Sequence, residues 1–369
     1  MTWAELTSAL RESGALTAEW EKAFATVPRT EFTPDRIHYE GEWVDRGKDS
    51  ARWLDLVCSD LPLVTQLYDD GRTPSSSSSM PTVVATMLRQ LDVADGMNVL
   101  EVGTGTGWTS ALLARRLGGE LVTTIEVDTN LADIARNRLG GAGLGATVVA
   151  GDGTLGYRGK GPYDRLHATA AVQRVPSAWI EQTRPGGLIL APFGTAFCNG
   201  ALVKLTVSED GRSASGPFVA DVAFMWVRDQ RPESGPFDID DVRHSASGID
   251  PKHVDEESTA AFVIGLRLPG LFRQRVWADY DPLGTGRSEV WDGVSYAHCR
   301  YADWDGPHAV TQSGPRDLWE EISAAYAWWE RSGRPDLTRF GLTVTTAGTQ
   351  RAWLDDPANV LLRLGESVG

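Results

Sequence analysis

The sequence of 369 residues predicts an α/β protein, in which a doubly wound and largely parallel sheet precedes a smaller α+β domain. Between residues 98 and 192, strand-like apolar runs alternate with helix-like segments, a pattern typical of a parallel sheet. A turn with three glycines directly follows one of these strands. A segment rich in proline, glycine and aspartate, residues 231–241, then marks a change of composition. We therefore expect one domain over residues 1–230 and a second over 231–369.

Residues 1–90 form the first part of the expected catalytic domain. Apolar side chains recur at three- and four-residue spacing from Trp3 to Phe24, which predicts helices. An aromatic-rich stretch without clear periodicity follows. Five consecutive serines, Ser75 to Ser79, then precede a helix that Pro81 opens. Such a serine run is commonly a flexible linker, but its place inside a domain favours a functional loop.

The alternating region supplies the predicted sheet. Residues 201–227 add two strands joined at Asp210-Gly211, an expected antiparallel pair. The predicted parallel strands cover residues 98–102, 121–127, 146–150, 165–171 and 188–192, and the predicted helices cover residues 108–117, 131–139 and 177–183.

The glycine turn, in the sequence VLEVGTGTG, predicts a ligand site at the carboxyl ends of the strands. Gly103, Gly105 and Gly107 let the backbone approach a ligand closely. Glu126 lies near the end of the next strand, 23 residues after Gly103, where an acidic side chain can accept both hydroxyls of a ribose. Asp152, between two glycines after the third strand, suits an adenine amino group. No lysine for a phosphate follows the turn, so these residues indicate S-adenosylmethionine.

Composition excludes several other classes of protein. The net charge of −15 disfavours binding to nucleic acid or to anionic membranes. The three cysteines are far apart, which argues against a disulfide framework or a zinc site and fits a reducing compartment. No signal sequence and no apolar run of membrane-spanning length is evident, so we expect a soluble, cytoplasmic protein.

The C-terminal domain is expected to mix strands and helices. Residues 289–301 and 339–345 are strand-like, and the segment 318–333 predicts a helix with one apolar face and Gly333 at its C-cap. His298 and Cys299 alternate along a strand, so they would point to opposite faces and we predict no metal site. The tryptophans of this domain are predicted either to pack in its core or to line a peptide groove.

Several short motifs, read together, resemble the protein-L-isoaspartate O-methyltransferase family. These are VPR-x-x-F at residues 27–32, S-D-x-P at 59–62, AA-x-x-x-x-P at 170–176 and PGG at 185–187. The resemblance implies a class I S-adenosylmethionine-dependent methyltransferase with a Rossmann-like sheet. It also implies that the glycine turn holds the methionine part, Glu126 the ribose and Asp152 the adenine. The full predicted cofactor-binding set is Glu101, Gly103, Thr104, Gly105, Gly107, Glu126, Val127, Asp152 and Gly153.

The serine run occupies the place of the family's T-I-S-Q-P segment, whose serine points at the substrate carboxylate. Ser79 takes that serine's position, and we predict that it orients the carboxylate with Ser78 and Ser77 as helpers. Ser75, Ser76 and Asp60 complete the predicted substrate-binding set, although Asp60 also suits a simple turn. A carboxylate is already ionised at neutral pH, so the reaction needs orientation and no general base.

The altered serine segment and the long C-terminal region resemble a subgroup associated with ribosomally made peptides of the lanthipeptide and graspetide kind. This resemblance implies esterification of an aspartate in a cyclised precursor peptide, followed by collapse to an aspartimide, with the C-terminal domain selecting the peptide. Two alternatives stay open: a general isoaspartate repair enzyme, and a non-catalytic peptide-binding module with the same fold. The oligomeric state is left open.

Overall fold

The computed structural model describes residues 1–232, 240–280 and 284–364. The chain divides into two compact units. The first contains Met1–Ala170, Pro176–Ala191 and Lys204–Ala214, and the second contains Ala171–Val175, Pro192–Val203 and Ser215–Gly369. The chain therefore passes between the units several times around residues 171–215. The boundary expected at 230/231 stays a prediction, and most of the segment that suggested it, residues 233–239, lies outside the described residues.

The first unit begins with the predicted helices, α1 (Trp3–Glu12) and α2 (Ala18–Thr26). A capping box starts α1, because Thr2 accepts from the backbone amide of Glu5 and the Glu5 carboxylate accepts from that of Thr2. Trp20 and Phe24 are fully buried on α2, as their spacing predicted.

The stretch without clear periodicity forms a four-stranded antiparallel sheet, in the order β2-β1-β3-β4. Its elements are β1 (Arg36–Tyr39), β2 (Glu42–Asp45), α3 (Ser50–Val57), β3 (Leu63–Leu67) and β4 (Pro74–Ser78). The linker interpretation of the serine run is wrong, since four of the five serines form β4. Serine has no strong strand preference, and here pairing with β3 and cross-strand contacts of the side chains stabilise the strand.

The predicted parallel sheet follows, with β9, β8, β5, β6 and β7 as successive neighbours. This order brings the carboxyl ends of β5, β6 and β7 side by side. The elements are α4 (Pro81–Leu91), β5 (Val99–Val102), α5 (Trp108–Leu117), β6 (Val122–Glu126), α6 (Thr129–Gly141), β7 (Thr147–Ala150), β8 (Tyr163–Ala168), α7 (Ser177–Gln182) and β9 (Thr183–Gly194).

Two long strands, β10 (Asn199–Val207) and β11 (Ser213–Ala220), form the predicted antiparallel pair. Gly211 adopts a φ of +67° in the turn between them. The residues of β9, β10 and β11 are divided between the two units.

The second unit contains a five-stranded antiparallel sheet in the order β12-β16-β15-β14-β13, and β17 pairs with β18 and β18 with β19. Its helix α10 buries the predicted apolar face, including Ile322 and Trp329. Its elements are β12 (Arg243–Ser245), α8 (Pro251–Glu256), α9 (Ser258–Arg267), β13 (Phe272–Val276), β14 (Arg287–Trp291), β15 (Tyr296–Arg300), β16 (Val310–Ser313), α10 (Leu318–Arg331), β17 (Phe340–Thr345), β18 (Gln350–Leu354) and β19 (Val360–Leu364).

One prediction in this unit is wrong. Residues 289–301 form the two strands of a hairpin instead of one strand. The Asp292 carboxylate accepts from the amides of Val294 and Ser295, and Gly293 takes a φ of +95°. Asp-Gly in this position is a strong turn signal, which the surrounding aromatic residues obscured.

Candidate active site

The glycine turn after β5 requires glycine for two different reasons. All three glycines have positive φ, at +95° for Gly103, +51° for Gly105 and +88° for Gly107. A Cβ at Gly103 would lie 2.5 Å from the Thr169 hydroxyl oxygen. A side chain at this position is therefore excluded by both backbone conformation and space. The turn leads into α5, with Gly107 as its N-cap residue.

Glu126, at the end of β6, is held beside this turn. One carboxylate oxygen accepts from the Gly105 amide at 2.8 Å, and the other accepts from the Asp128 amide at 3.1 Å. Each carboxylate oxygen has capacity for a second donor, so Glu126 can still accept from hydroxyl groups of a ligand. The next side chain, Val127, is 46% exposed and presents an apolar surface beside this carboxylate.

Asp152, after β7, begins a short 3₁₀ turn over Gly153–Leu155. Its carboxylate accepts from the Thr154 amide and from the Thr154 hydroxyl, both at 2.8 Å. A Cβ at Gly153 would lie 2.4 Å from a methyl carbon of Val102, so this glycine permits close packing under the turn. The contact of Asp152 with an adenine stays a prediction.

Glu101 lies in β5, directly before the turn, and is fully buried. Its Oε2 accepts from the hydroxyls of Ser110 and Thr124. Within the described residues, Oε1 has no hydrogen-bond partner. Burial raises the pKa of Glu101 to about 7. Thr104, in the turn, shares a hydrogen bond of 2.6 Å with the Thr124 hydroxyl.

Sequence reasoning missed His167, which lies in β8 opposite Glu101 in the register of the two parallel strands. Both ring nitrogens are buried without a hydrogen-bond partner among the described residues. Burial alone lowers the pKa of His167 to about 4, so the ring is neutral at pH 7. A lone histidine in an apolar strand gives no sequence signal that would distinguish it from a core residue.

The serine strand β4 and the residue after it divide into two groups. Ser75 donates to Gln66 Oε1 at 3.0 Å, Ser76 accepts from the Thr65 hydroxyl at 3.1 Å, and Ser78 accepts from Arg29 Nε at 2.9 Å. In the part of the chain that the structure describes, the hydroxyls of Ser77 and Ser79 have no such partner, and both residues are half-buried. These two hydroxyls are free to bind a ligand.

The structure brings the serine strand and the glycine turn together. A Cβ on Gly105 would lie 3.7 Å from the carbonyl oxygen of Ser77 and 3.8 Å from the hydroxyl of Ser76. The serine run and the glycine turn are separated by more than 20 residues, and the sequence analysis assigns them to substrate and cofactor respectively. In the structure they border one site.

Arg29 is a second residue that sequence reasoning missed, although it belongs to the VPR motif. It is completely buried and donates to the side chain and carbonyl of Ser78 and to the carbonyls of Ser59 and Leu61. The central carbon of its guanidinium group, Cζ, lies 5.9 Å from the centroid of the Trp108 ring, which is within the range of a cation–π interaction. Burial lowers the pKa of Arg29 to about 9, which leaves the guanidinium protonated at neutral pH.

Asp60 uses both carboxylate oxygens within the protein. One accepts from the Thr82 amide at 2.8 Å and the other accepts from the Thr82 hydroxyl at 2.6 Å. These contacts cap the N-terminus of α4, whose own N-cap residue, Met80, forms no side-chain cap. A direct contact of Asp60 with substrate stays a prediction.

Within the described residues, no group of three or more histidine, cysteine, aspartate or glutamate side chains is arranged to hold a metal ion. No helix among the same residues is long and apolar enough to cross a membrane.

Comparisons with known proteins agree on one family. The profile described as protein-L-isoaspartate(D-aspartate) O-methyltransferase (PCMT) matches residues 1–231. The protein-L-isoaspartate O-methyltransferase of Pyrococcus horikoshii is 35% identical over 211 residues, covering 57% of this chain and 85% of that protein. The enzyme of the same name from Methanoculleus marisnigri is 40% identical over 154 residues, covering 41% of this chain and 68% of that protein.

The similarity of fold extends beyond the matched residues. A solved protein-L-isoaspartate O-methyltransferase aligns with 96% of this chain and with all of its own, at a TM-score of 0.57 and 20% identity. The expected α/β methyltransferase fold with an additional C-terminal region is thereby confirmed.

Proposed function

Because this chain belongs to the protein-L-isoaspartate(D-aspartate) O-methyltransferase family, it is an S-adenosylmethionine-dependent carboxyl O-methyltransferase, and we propose that it esterifies the free carboxylate of L-isoaspartyl residues in proteins and peptides. The observation that carries this proposal is the pair of unpartnered hydroxyls, Ser77 and Ser79, at the end of a strand whose residues Ser76 and Ser77 border the glycine turn. Proteins with damaged aspartyl or asparaginyl sites would be its partners.

The residues around the glycine turn fit the cofactor. The positive φ and close packing of Gly103 create a surface of backbone without side chains, which suits the methionine part. Glu126 has acceptor capacity for two ribose hydroxyls, and Val127 offers an apolar contact for the base. We assign the adenine amino group to Asp152 and Gly153, while Glu101 and Thr104 support the turn from below.

The chemistry requires orientation of one oxygen atom. The bound cofactor supplies an electrophilic methyl group on a sulfonium. As the bond between carboxylate oxygen and methyl carbon forms, the carbon–sulfur bond breaks, giving a methyl ester and S-adenosylhomocysteine. The carboxylate is ionised at pH 7, so no base is needed. Hydroxyl donors from Ser79 and Ser77 hold the carboxylate in line without neutralising it.

The helper role expected for Ser78 is reassigned. The Ser78 side chain is buried and its hydroxyl already accepts a hydrogen bond from Arg29, so we propose that Ser78 stabilises the strand and does not bind substrate. Ser75 and Ser76 likewise contact β3 through Gln66 and Thr65. Of the five serines, we therefore propose that only Ser77 and Ser79 bind substrate.

A second candidate is maturation of a constrained precursor peptide, which the replacement of T-I-S-Q-P by S-S-S-M-P favours. There, the backbone nitrogen following a methylated aspartate would attack the ester carbonyl, forming the C–N bond of an aspartimide and releasing methanol. The C-terminal unit would help to select the peptide. Similarity of a solved isoaspartate methyltransferase to 96% of this chain weakens the argument from the C-terminal region.

The test is mass spectrometry of the full-length protein with S-adenosylmethionine and three peptides. These are a linear L-isoaspartyl peptide, the same sequence with L-aspartate, and a cyclised aspartyl peptide. We expect one methyl group on the isoaspartyl peptide and none on its aspartyl twin. Methylation of the cyclised peptide alone, followed by loss of methanol, would contradict isoaspartate methylation and favour peptide maturation.

A further inference from the structure

We infer that Arg29 and Asp60 are positioning residues that together fix the backbone of Ser79 for methyl transfer. The inference rests on the proposed function, since it assigns Ser79 to the substrate carboxylate. Its basis is that Ser79 and Met80 alone separate two anchored points of the chain, Ser78 and the start of α4.

The first anchor is Arg29. Its Nη2 donates to the Ser78 carbonyl oxygen at 2.7 Å, and its Nε donates to the Ser78 hydroxyl at 2.9 Å. The Ser78 carbonyl belongs to the same planar peptide unit as the Ser79 nitrogen. Rotating that unit would break a charge-assisted hydrogen bond inside the protein, so Arg29 fixes the direction in which Ser79 leaves the strand.

The second anchor is Asp60, which accepts from both the amide and the hydroxyl of Thr82. Pro81 occupies the first position of α4, and its ring fixes φ there. The chain after Ser79 is therefore held as firmly as the chain before it. The Ser79 side chain has no partner of its own among the described residues and depends on these two anchors for its position.

The two anchors, Arg29 and Asp60, are connected by hydrogen bonds. Arg29 also donates to the carbonyls of Ser59, at 3.3 Å, and Leu61, at 2.8 Å, which lie on either side of Asp60. The loop that carries the Asp60 carboxylate is thus wrapped around the same guanidinium that holds Ser78. Displacing Arg29 would move both anchors.

The planar shape of the guanidinium contributes to this arrangement in addition to its charge. Within the described ranges Arg29 forms no ion pair, and its donors go to one hydroxyl and three carbonyl oxygens. Lysine has a single ammonium group and cannot reproduce this planar set of contacts. Burying a cation costs free energy, which an apolar side chain would avoid, and here the Asp60 carboxylate and the Trp108 ring favour the charged form. In return, the buried guanidinium fixes the backbone position of Ser79.

Arg29→Lys in the full-length protein tests the inference, with kcat and KM measured on the isoaspartyl peptide. We expect kcat to fall by about 10- to 100-fold, because a displacement near 1 Å has effects of that order. The Kd for S-adenosylhomocysteine, measured by calorimetry, should be unchanged. Asp60→Asn should lower kcat in the same way but less, and it serves as the second variant if Arg29→Lys does not fold.

Arg165→Lys is the matched control. Arg165 is also buried and donates to backbone carbonyls, those of Leu91, Asp92 and Asp164, in a different part of the first unit. Its replacement should lower thermal stability and leave kcat within about threefold. If Arg29→Lys and Arg165→Lys reduce kcat equally, Arg29 has only a structural role and the inference fails.

A double-mutant cycle gives the sharper readout. In a Ser79→Ala background, Arg29→Lys should have no further effect on kcat, because the group that it positions is gone. Multiplicative effects of the two changes would overturn the inference while leaving isoaspartate methylation intact. If the wild-type protein does not methylate the isoaspartyl peptide, the proposed function fails first and the inference falls with it.

Discussion

The glycine turn and the serine strand border the same site, but different forces determine their conformations. The turn is shaped by missing side chains, since Gly103 has positive φ and Thr169 fills the space where a Cβ would project. The strand is shaped by polar side chains that contact residues distant in sequence, most clearly Arg29 and Ser78. The half of the site proposed for the cofactor is therefore encoded largely by local sequence, whereas the half proposed for the substrate depends on contacts between residues distant in sequence.

The largest effect should come from adding one methyl group to the turn. Gly103→Ala places a Cβ 2.5 Å from the Thr169 hydroxyl and strains a φ of +95°, so the turn must move. We expect the Kd for S-adenosylhomocysteine, measured by calorimetry, to rise by about 100-fold or more, since backbone displacements of this kind disrupt ligand geometry. Gly143→Ala is the matched control, because Gly143 has a φ of +68° and no atom within 4 Å of the added Cβ. If Gly103→Ala and Gly143→Ala bind S-adenosylhomocysteine with equal affinity, steric exclusion at Gly103 does not determine the conformation of the turn.

An intermediate effect is expected on the serine side. Ser79→Ala removes a hydrogen bond to a charged carboxylate, worth about 1.5–3 kcal/mol, so kcat/KM for the isoaspartyl peptide should fall by about 10- to 100-fold. Ser77→Ala should have the same sign and a smaller size. The Kd for S-adenosylhomocysteine should stay at its wild-type value in both variants. A variant that loses cofactor affinity along with turnover would show that the two halves of the site are not separable.

The smallest net effect is the pH dependence of wild-type stability, because two buried groups, Glu101 and His167, contribute to it with opposite signs. The pKa of Glu101 is raised to about 7 in the folded state, so the unfolded chain loses its proton first and the free energy of unfolding falls as pH rises from about 4.5 to 7. The pKa of His167 is lowered to about 4, so the unfolded chain binds a proton first on acidification. Its contribution makes the free energy of unfolding rise with pH from about 4 to 6.5. The two contributions oppose each other, each by up to about 1.4 kcal/mol per pH unit.

Urea unfolding of two variants between pH 4.5 and 6.5 separates these contributions. Glu101→Gln should make the free energy of unfolding increase more steeply with pH than in the wild type. His167→Gln should make it increase less steeply or decrease. Identical slopes in all three proteins would mean that neither group titrates differently in the folded and unfolded states.

The same contrast explains what the sequence could predict. The alternation of strands and helices, the glycine turn and the positions of Glu126 and Asp152 follow from short-range patterns. The structure places the glycine turn, Glu126 and Asp152 at the carboxyl ends of three neighbouring strands. The serine strand was ambiguous, because a run of serines carries no periodic signal. Its pairing with β3 and its contact with Arg29, 49 residues before Ser78, appear only in the folded chain.

Other omissions have equally physical causes. The sequence does not single out His167, because its lowered pKa results from burial and not from a sequence motif. The sequence predicts one strand over residues 289–301 where the structure has a hairpin, because the Asp-Gly turn lies between two aromatic runs. The link to ribosomal peptide maturation and the cytoplasmic location stay predictions.

The division of β9, β10 and β11 between the two units has a consequence for synthesis on the ribosome. The first unit includes Lys204–Ala214, so it lacks part of its structure until residue 214 has emerged. By then two segments of the second unit, Ala171–Val175 and Pro192–Val203, are already outside, while the remainder of that unit is still to be translated. The first unit therefore cannot finish folding as a simple N-terminal module. While it folds, two segments of the second unit have been synthesised but cannot yet pack against the rest of that unit.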